Sequence, residues 1–137
     1  KIKKKEMRFH HIGIVCDKKL LKKLRIEKKI DSTYIDKYQK NRLSFYLDQK
    51  SKILYEFIFP LNKYSTTYNF FKKNGNGIHH YAYEVKNLKK IIIRYENKKN
   101  FIYINSYSAK IKYLGGKIKT CFFYYKKNII EFIEIEK

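Results

Sequence analysis

The sequence predicts an α+β chain assembled from two βαβββ modules, and three observations predict it. Two segments are near repeats, His10-His11-Ile-Gly-Ile-Val and His79-His80-Tyr-Ala-Tyr-Glu-Val, each leading into a run of Lys with Leu or Ile. Each opens a stretch that closes on a carboxylate within an apolar strand, Leu54-Tyr-Glu56-Phe-Ile-Phe in the first half and Ile129-Ile-Glu131-Phe-Ile-Glu in the second. Between them lies a breaker-containing segment, 61–76, that ends in the flexible Asn74-Gly-Asn-Gly77. The 137 residues are therefore expected to form a single domain, 1–137, with one module over about residues 8–60 and the other over about 77–136.

Each element has a local reason. Phe9 to Val15 is short, apolar and β-branched, which marks a strand, with Gly13 leaving room for a close approach. Asp17 is an N-cap for a helix that gathers Leu20, Leu21 and Leu24 on one side and lysines on the other. Residues 31–37 read as an irregular or short strand. Arg42 to Leu47 and Ile53 to Phe59 are strands joined by the turn at Asp48-Gln-Lys-Ser51, and Pro60 stops the second of them. After the connection the order restarts. Ile78 to Val85 is a strand, and Asn87 caps a helix with Leu88, Ile91, Ile92 and Tyr95 at i, i+3, i+4 and i+7. Phe101 to Ile104 is a short strand, and 106–116 is expected to be a loop with a Gly115-Gly116 hinge. Lys117 to Tyr125 and Ile129 to Ile135 make a hairpin around Lys126-Lys-Asn128.

Composition narrows the function classes. The formal charge of +21 raises the question of nucleic acid. The lysines, however, are spread along the whole chain, and Lys, Ile, Asn and Tyr share A/T-rich codons, so nucleic-acid binding is not the expected role. A small anionic substrate would gain from the same field. Apolar runs are strand-sized, far short of the ~20 residues of a membrane span, and no apolar segment directly follows the basic start as a signal peptide would require. Cys16 and Cys121 form neither a disulfide framework nor a metal-spacing motif, which points to a reducing cytoplasm. Phe122 to Tyr125 are consecutive in one strand and populate both of its faces. They read as core and pocket lining, not as a base-stacking platform.

Strand alternation selects the chemistry. Aligning the repeats matches His11 with His80 and Gly13 with Ala82, while Ile12 and Ile14 match Tyr81 and Tyr83. The bulky face suits covering by the next helix, and the face beginning with His11 or His80 turns small and leaves a cleft. His10 and His79 then point away, toward packing or an interface. Glu56 and Glu131 stand among apolar neighbours, where an unpaired carboxylate is costly. One divalent cation held by His11, Glu56, His80 and Glu131 would offset that cost. Two imidazoles and two carboxylates suit Zn, Ni, Co, Mn or Fe alike.

These segments, together with Phe57-Ile-Phe-Pro60-Leu and Gly75-Asn-Gly-Ile-His-His80, resemble the vicinal oxygen chelate superfamily, which includes glyoxalases, bleomycin-resistance proteins and dioxygenases. Within it the chain is most similar to methylmalonyl-CoA epimerase-like proteins. The resemblance implies paired modules around a metal in a cleft, a homodimer, and a substrate such as an acyl-CoA or a glutathione adduct. It also implies proton removal next to a carbonyl, with Glu131 and Glu56 moving the proton and the metal acting as a Lewis acid. Three departures stand out. Epimerases commonly carry Gln where this chain has Glu56, and the His-Glu-His-Glu set resembles glyoxalase I (lactoylglutathione lyase). An ungapped reading puts Ser44 where the epimerases carry a further Glu. Tyr125-Lys-Lys-Asn128 replaces a His-Pro turn. A non-catalytic small-molecule binding protein of the same fold is the remaining alternative.

Overall fold

A computed structural model describes residues 6–136. In chain order these form β1 (Met7–Val15), α1 (Lys18–Lys23), β2 (Ser32–Asp36), β3 (Asn41–Leu47), β4 (Leu54–Pro60), α2 (Tyr68–Asn74), β5 (Gly77–Val85), α3 (Leu88–Glu96), β6 (Phe101–Ile111), β7 (Gly116–Tyr125) and β8 (Asn128–Ile135). Each half repeats the β-α-β-β-β order expected from the sequence, and α2 occupies the connection. The strands form the quartets β2-β3-β4-β1 and β5-β8-β7-β6. In each, the first strand of the module is parallel to the last and the remaining pairs are antiparallel. The protein is of the α+β class. No helix among the described residues is long and apolar enough to cross a membrane.

Packing divides the described residues into two compact units, 11–79 and the combination of 6–10 with 80–136. The boundary falls inside β1 and β5. The start of β1 packs with the second module, where the Arg8 guanidinium meets Glu84 at 2.9 Å and Phe9 lies edge-on to Tyr83. The start of β5 packs with the first, where His79 lies edge-on to Phe70 with centroids 5.2 Å apart.

In the unit 11–79, Asp17 caps α1 by accepting from the Leu20 N–H at 3.1 Å, and its own N–H donates to Asn76 Oδ1. Helix α1 lays Leu21 over Cys16, Ile26, Phe57 and Phe59 on one face of the sheet. Leu24 does not join them. The helix ends after six residues, Arg25 takes a positive φ of 56°, and Leu24 is left 51% exposed. A buried polar cluster anchors the segment leading to α2: Asn41 Oδ1 accepts from Ser65 Oγ and from Thr67 Oγ1 at 2.9 Å. Burying these groups is tolerable because they satisfy one another.

In the second unit, Asn87 caps α3 through the Lys90 N–H, and the Glu134 carboxylate accepts from the Leu88 N–H at 2.8 Å. Leu88 and Ile91 pack on Val85, Cys121, Phe123 and Phe132, with Ile92 and Tyr95 at the margin. The main departure from the sequence expectation is in 106–111. Instead of a loop, these residues extend β6 antiparallel to β7, from Ser106 opposite Cys121 to Ile111 opposite Gly116. Ser106, Ser108 and Lys110 alternate there with Tyr107, Ala109 and Ile111, and β7 supplies the hydrogen bonds that a local reading cannot foresee. A register shift between Tyr103 and Asn105 separates the two halves of the strand. Gly115 turns the chain at φ 113°, where an added Cβ would meet Ile135 Cγ2 at 3.0 Å.

Both cysteines are free and buried. Burial first, then the Asp17 charge, pushes the Cys16 thiol from its ordinary 9.0 up to about 12, against a smaller opposing effect of Arg42. Burial and then Glu131 raise Cys121 likewise to about 12. Both therefore stay protonated and act as small apolar residues, as expected for Cys16. Native protein at pH 8 should leave both thiols unmodified by a disulfide-exchange reagent, and denaturant should expose two per chain. Rapid labelling of either thiol without denaturant would contradict this packing.

Candidate functional site

In the first unit, strand β1 places His11 and Gly13 on the sheet face opposite α1, while Ile14 packs toward the helix. Gly13 lies beside Glu56 of parallel β4, and Phe45 of β3 lies opposite Glu56 on its other side. Cross-strand partners share a face, so Glu56, Phe45 and Gly13 are on the His11 side. His11 is fully buried and Glu56 is 7% exposed. The imidazole Nε2 stands 3.7 Å from Glu56 Oε2.

The second unit repeats this register. Ala82 lies beside Glu131 of parallel β8, and Phe122 of β7 lies opposite Glu131. His80 and Glu131 are both buried, with His80 Nε2 at 3.0 Å from Glu131 Oε1. Phe122 holds the imidazole edge-on, its ring centroid 5.7 Å from that of His80, and Tyr107 stacks on Phe122 behind. Each unit thus brings its own predicted His and Glu together. In both cases it is Nε2 that faces the carboxylate.

The two copies differ at one neighbour that the sequence reading missed. Thr120, fully buried on β7, lies diagonally across from Glu131 and places its Oγ1 2.5 Å from Glu131 Oε2. The same Oγ1 is 3.1 Å from the Phe132 carbonyl. A hydroxyl has one proton, and the shorter contact to the charged acceptor takes it. The matching position in the first unit, two residues before Phe45, is the apolar Leu43. Aligning Phe45 with Phe122 in the repeat would have exposed this difference. Asn105 is a second omission. It pairs with Phe122 across the register shift, and its buried Oδ1 meets no hydrogen-bond partner.

Within each unit a buried imidazole and a buried carboxylate are donor types suited to a divalent first-row cation, and hydrogen-bonded or aromatic neighbours orient the His80–Glu131 pair.

No protein-family model matches the chain, and no curated protein does. Solved structures do. The methylmalonyl-CoA epimerase of Mycobacterium tuberculosis superimposes with a TM-score of 0.76 at 18% identity, over 94% of this chain and 88% of that one. The fold is that of the methylmalonyl-CoA epimerases. A hypothetical protein of Bacillus halodurans matches at 0.78 and 22% identity, over 97% of both chains. A variant of the Streptomyces coelicolor epimerase in complex with 2-nitronate-propionyl-CoA matches at 0.74 and 18%, over 95% and 98%. The vicinal oxygen chelate fold expected from the sequence is therefore present.

Ser44 pairs with Phe57, not with Glu56, and so lies on the α1 face. On the His11 side, β3 offers Leu43 and Phe45. Neither can supply the further third-strand carboxylate that the resemblance implies for an epimerase.

Proposed function

We propose that His11, Glu56, His80 and Glu131 together hold one divalent metal ion and that the chain is a metal-dependent epimerase or lyase working by proton removal next to a carbonyl. The observation that carries this reading is the repetition of one arrangement, a buried His Nε2 facing a buried Glu, at the same register position in both modules. The ion, when bound, supplies Lewis acidity at a carbonyl oxygen of the substrate. Glu131 and Glu56 take and return the proton of the adjacent carbon. Thr120 keeps Glu131 aimed, and Phe122 keeps His80 from rotating. Apolar Phe45, Phe122 and Ile133 beside the carboxylates limit water.

An acyl-CoA is the leading substrate class. Solved proteins of this fold include epimerases, one of them in complex with methylmalonyl-CoA and ammonium. The high net positive charge favours such a polyanion. Glu56 in place of the Gln usual in epimerases favours a second reading, glyoxalase I chemistry on a glutathione hemithioacetal.

Untagged protein should contain about one equivalent of transition metal by elemental analysis, and a His11→Ala/His80→Ala double variant should contain none. Metal-replete protein should exchange the α-proton of methylmalonyl-CoA for deuterium, or convert a glutathione hemithioacetal if the second reading holds. Wild-type protein that takes up no metal on reconstitution would leave a binding module of the same fold.

A further inference from the structure

On the other face of the first unit's sheet, away from His11 and Glu56, an open cleft of about 320 Å³ lies between α1 and strands β2 and β3. Leu21 and Ile30 contribute apolar walls. Lys18, Arg42, Thr33 and Ser44 contribute polar ones, with Glu27 at the same cleft. Arg42 is the unusual member. It is half-buried, its guanidinium carbon lies 4.5 Å over the centroid of Phe59, and among the described residues it meets no carboxylate at ion-pair distance. Stacking occupies the flat face of a guanidinium and leaves its rim of N–H donors in the plane, where they match a carboxylate or phosphate in two-point fashion. Ser44 is buried, and its Oγ is 3.3 Å from Thr33 Oγ1. Two hydroxyls carry two protons, and their mutual bond uses one, so the other remains for an acceptor in the cleft. With Glu27 counted against Lys18 and Arg42, the formal charge of the lining is still positive.

We propose that this cleft is a second ligand site, separate from the histidine–glutamate face, that binds a small organic oxyanion. Arg42 grips the anionic head with help from Lys18 and a hydroxyl of the Thr33–Ser44 pair, and Leu21 and Ile30 receive a short apolar body. Glu27 repels anions less strongly than the two basic groups together attract them, and it disfavours bulky polyanions that would reach it.

The test is a nuclear magnetic resonance titration of the isotopically labelled full chain with butyrate and, separately, with butyl phosphate. The two arms distinguish a planar from a tetrahedral head, and saturation by either supports the site. The Arg42 side-chain Nε–H and the amides of Thr33 and Ser44 should shift saturably, while the His11 and His80 ring signals stay in place. Arg42→Gln should weaken binding about tenfold or more, as expected for losing a charge-assisted hydrogen-bond pair. Lys18→Gln, at an exposed helix position that does not threaten folding, should weaken it by a smaller factor. Shifts that grow linearly with both ligands would overturn the proposal. So would binding unchanged in folded Arg42→Gln or, should that variant not fold, in Lys18→Gln. Saturation seen at the histidines but not at Arg42 would assign the anion to the other face.

Discussion

Glu131→Gln and Glu56→Gln should each lower turnover at least about 10²-fold, the scale of losing a positioned proton-transfer group. Both variants should remain folded, with melting temperatures close to that of the parent chain. The substitution keeps the side-chain shape and, at Glu131, an acceptor for Thr120, so the loss comes from proton transfer or metal holding and not from packing, and metal content read alongside separates the two. The Ala versions should also abolish turnover, at a greater cost to packing. Thr120 gives the prediction its sharper edge. Thr120→Val, which keeps the volume and deletes the hydroxyl, should cost about tenfold, because one hydrogen bond to a charged acceptor is removed. Thr120→Ser should restore the rate. In a double-mutant cycle the Thr120→Val effect should largely vanish in the Glu131→Gln background and persist in the Glu56→Gln background, since coupling is confined to groups in contact. Deuterium exchange at the substrate α-carbon reads all of these. Full activity in both Glu→Ala variants would eliminate the proton-transfer mechanism, and equal coupling of Thr120 to both carboxylates would remove its assigned role.

The largest effect on stability is expected at Phe123. It is fully buried, and its ring lies edge-on to Phe101 at 6.2 Å, to Tyr103 at 5.5 Å and to Phe132 at 6.0 Å. Tyr95 of α3 approaches the same ring at 6.4 Å. The residue therefore joins three strands to the helix of its unit. Phe123→Ala removes those contacts and leaves a cavity that rigid neighbouring rings close poorly, which should cost about 3–5 kcal/mol. For a chain of this size that lowers the melting midpoint by about 10 °C. Urea unfolding should show the loss as a lower midpoint with an unchanged slope. A loss below about 1 kcal/mol would mean that these rings are not a packed core. Tyr124, the next residue, is 46% exposed and should tolerate Ala with little change.

The repeat was legible because it rests on short-range patterns. His11 and His80 could be chosen over His10 and His79 by alternation alone, and the structure buries both of the chosen residues. The helices under Asp17 and Asn87 followed from a cap and an apolar stripe. Where a pattern depended on a distant strand, local reading failed. Residues 106–111 carry little intrinsic strand signal and become β6 because β7 offers a complete ladder. Ser44 could not be placed from an ungapped count, since one step of register moves a side chain to the other face of the sheet. The pairing with Phe57 settles that it faces α1.

The sequence by itself thus determined the two modules, the four candidate ligands and the side of each strand on which they stand, because periods of 2 and 3.6 residues are properties of the local chain. Only the tertiary structure decided that Thr120 holds Glu131 while Leu43 stands in the equivalent place, and that Arg42 rests on Phe59 beside an open cleft. These depend on register and side-chain approach between segments far apart in sequence, and no local period encodes them.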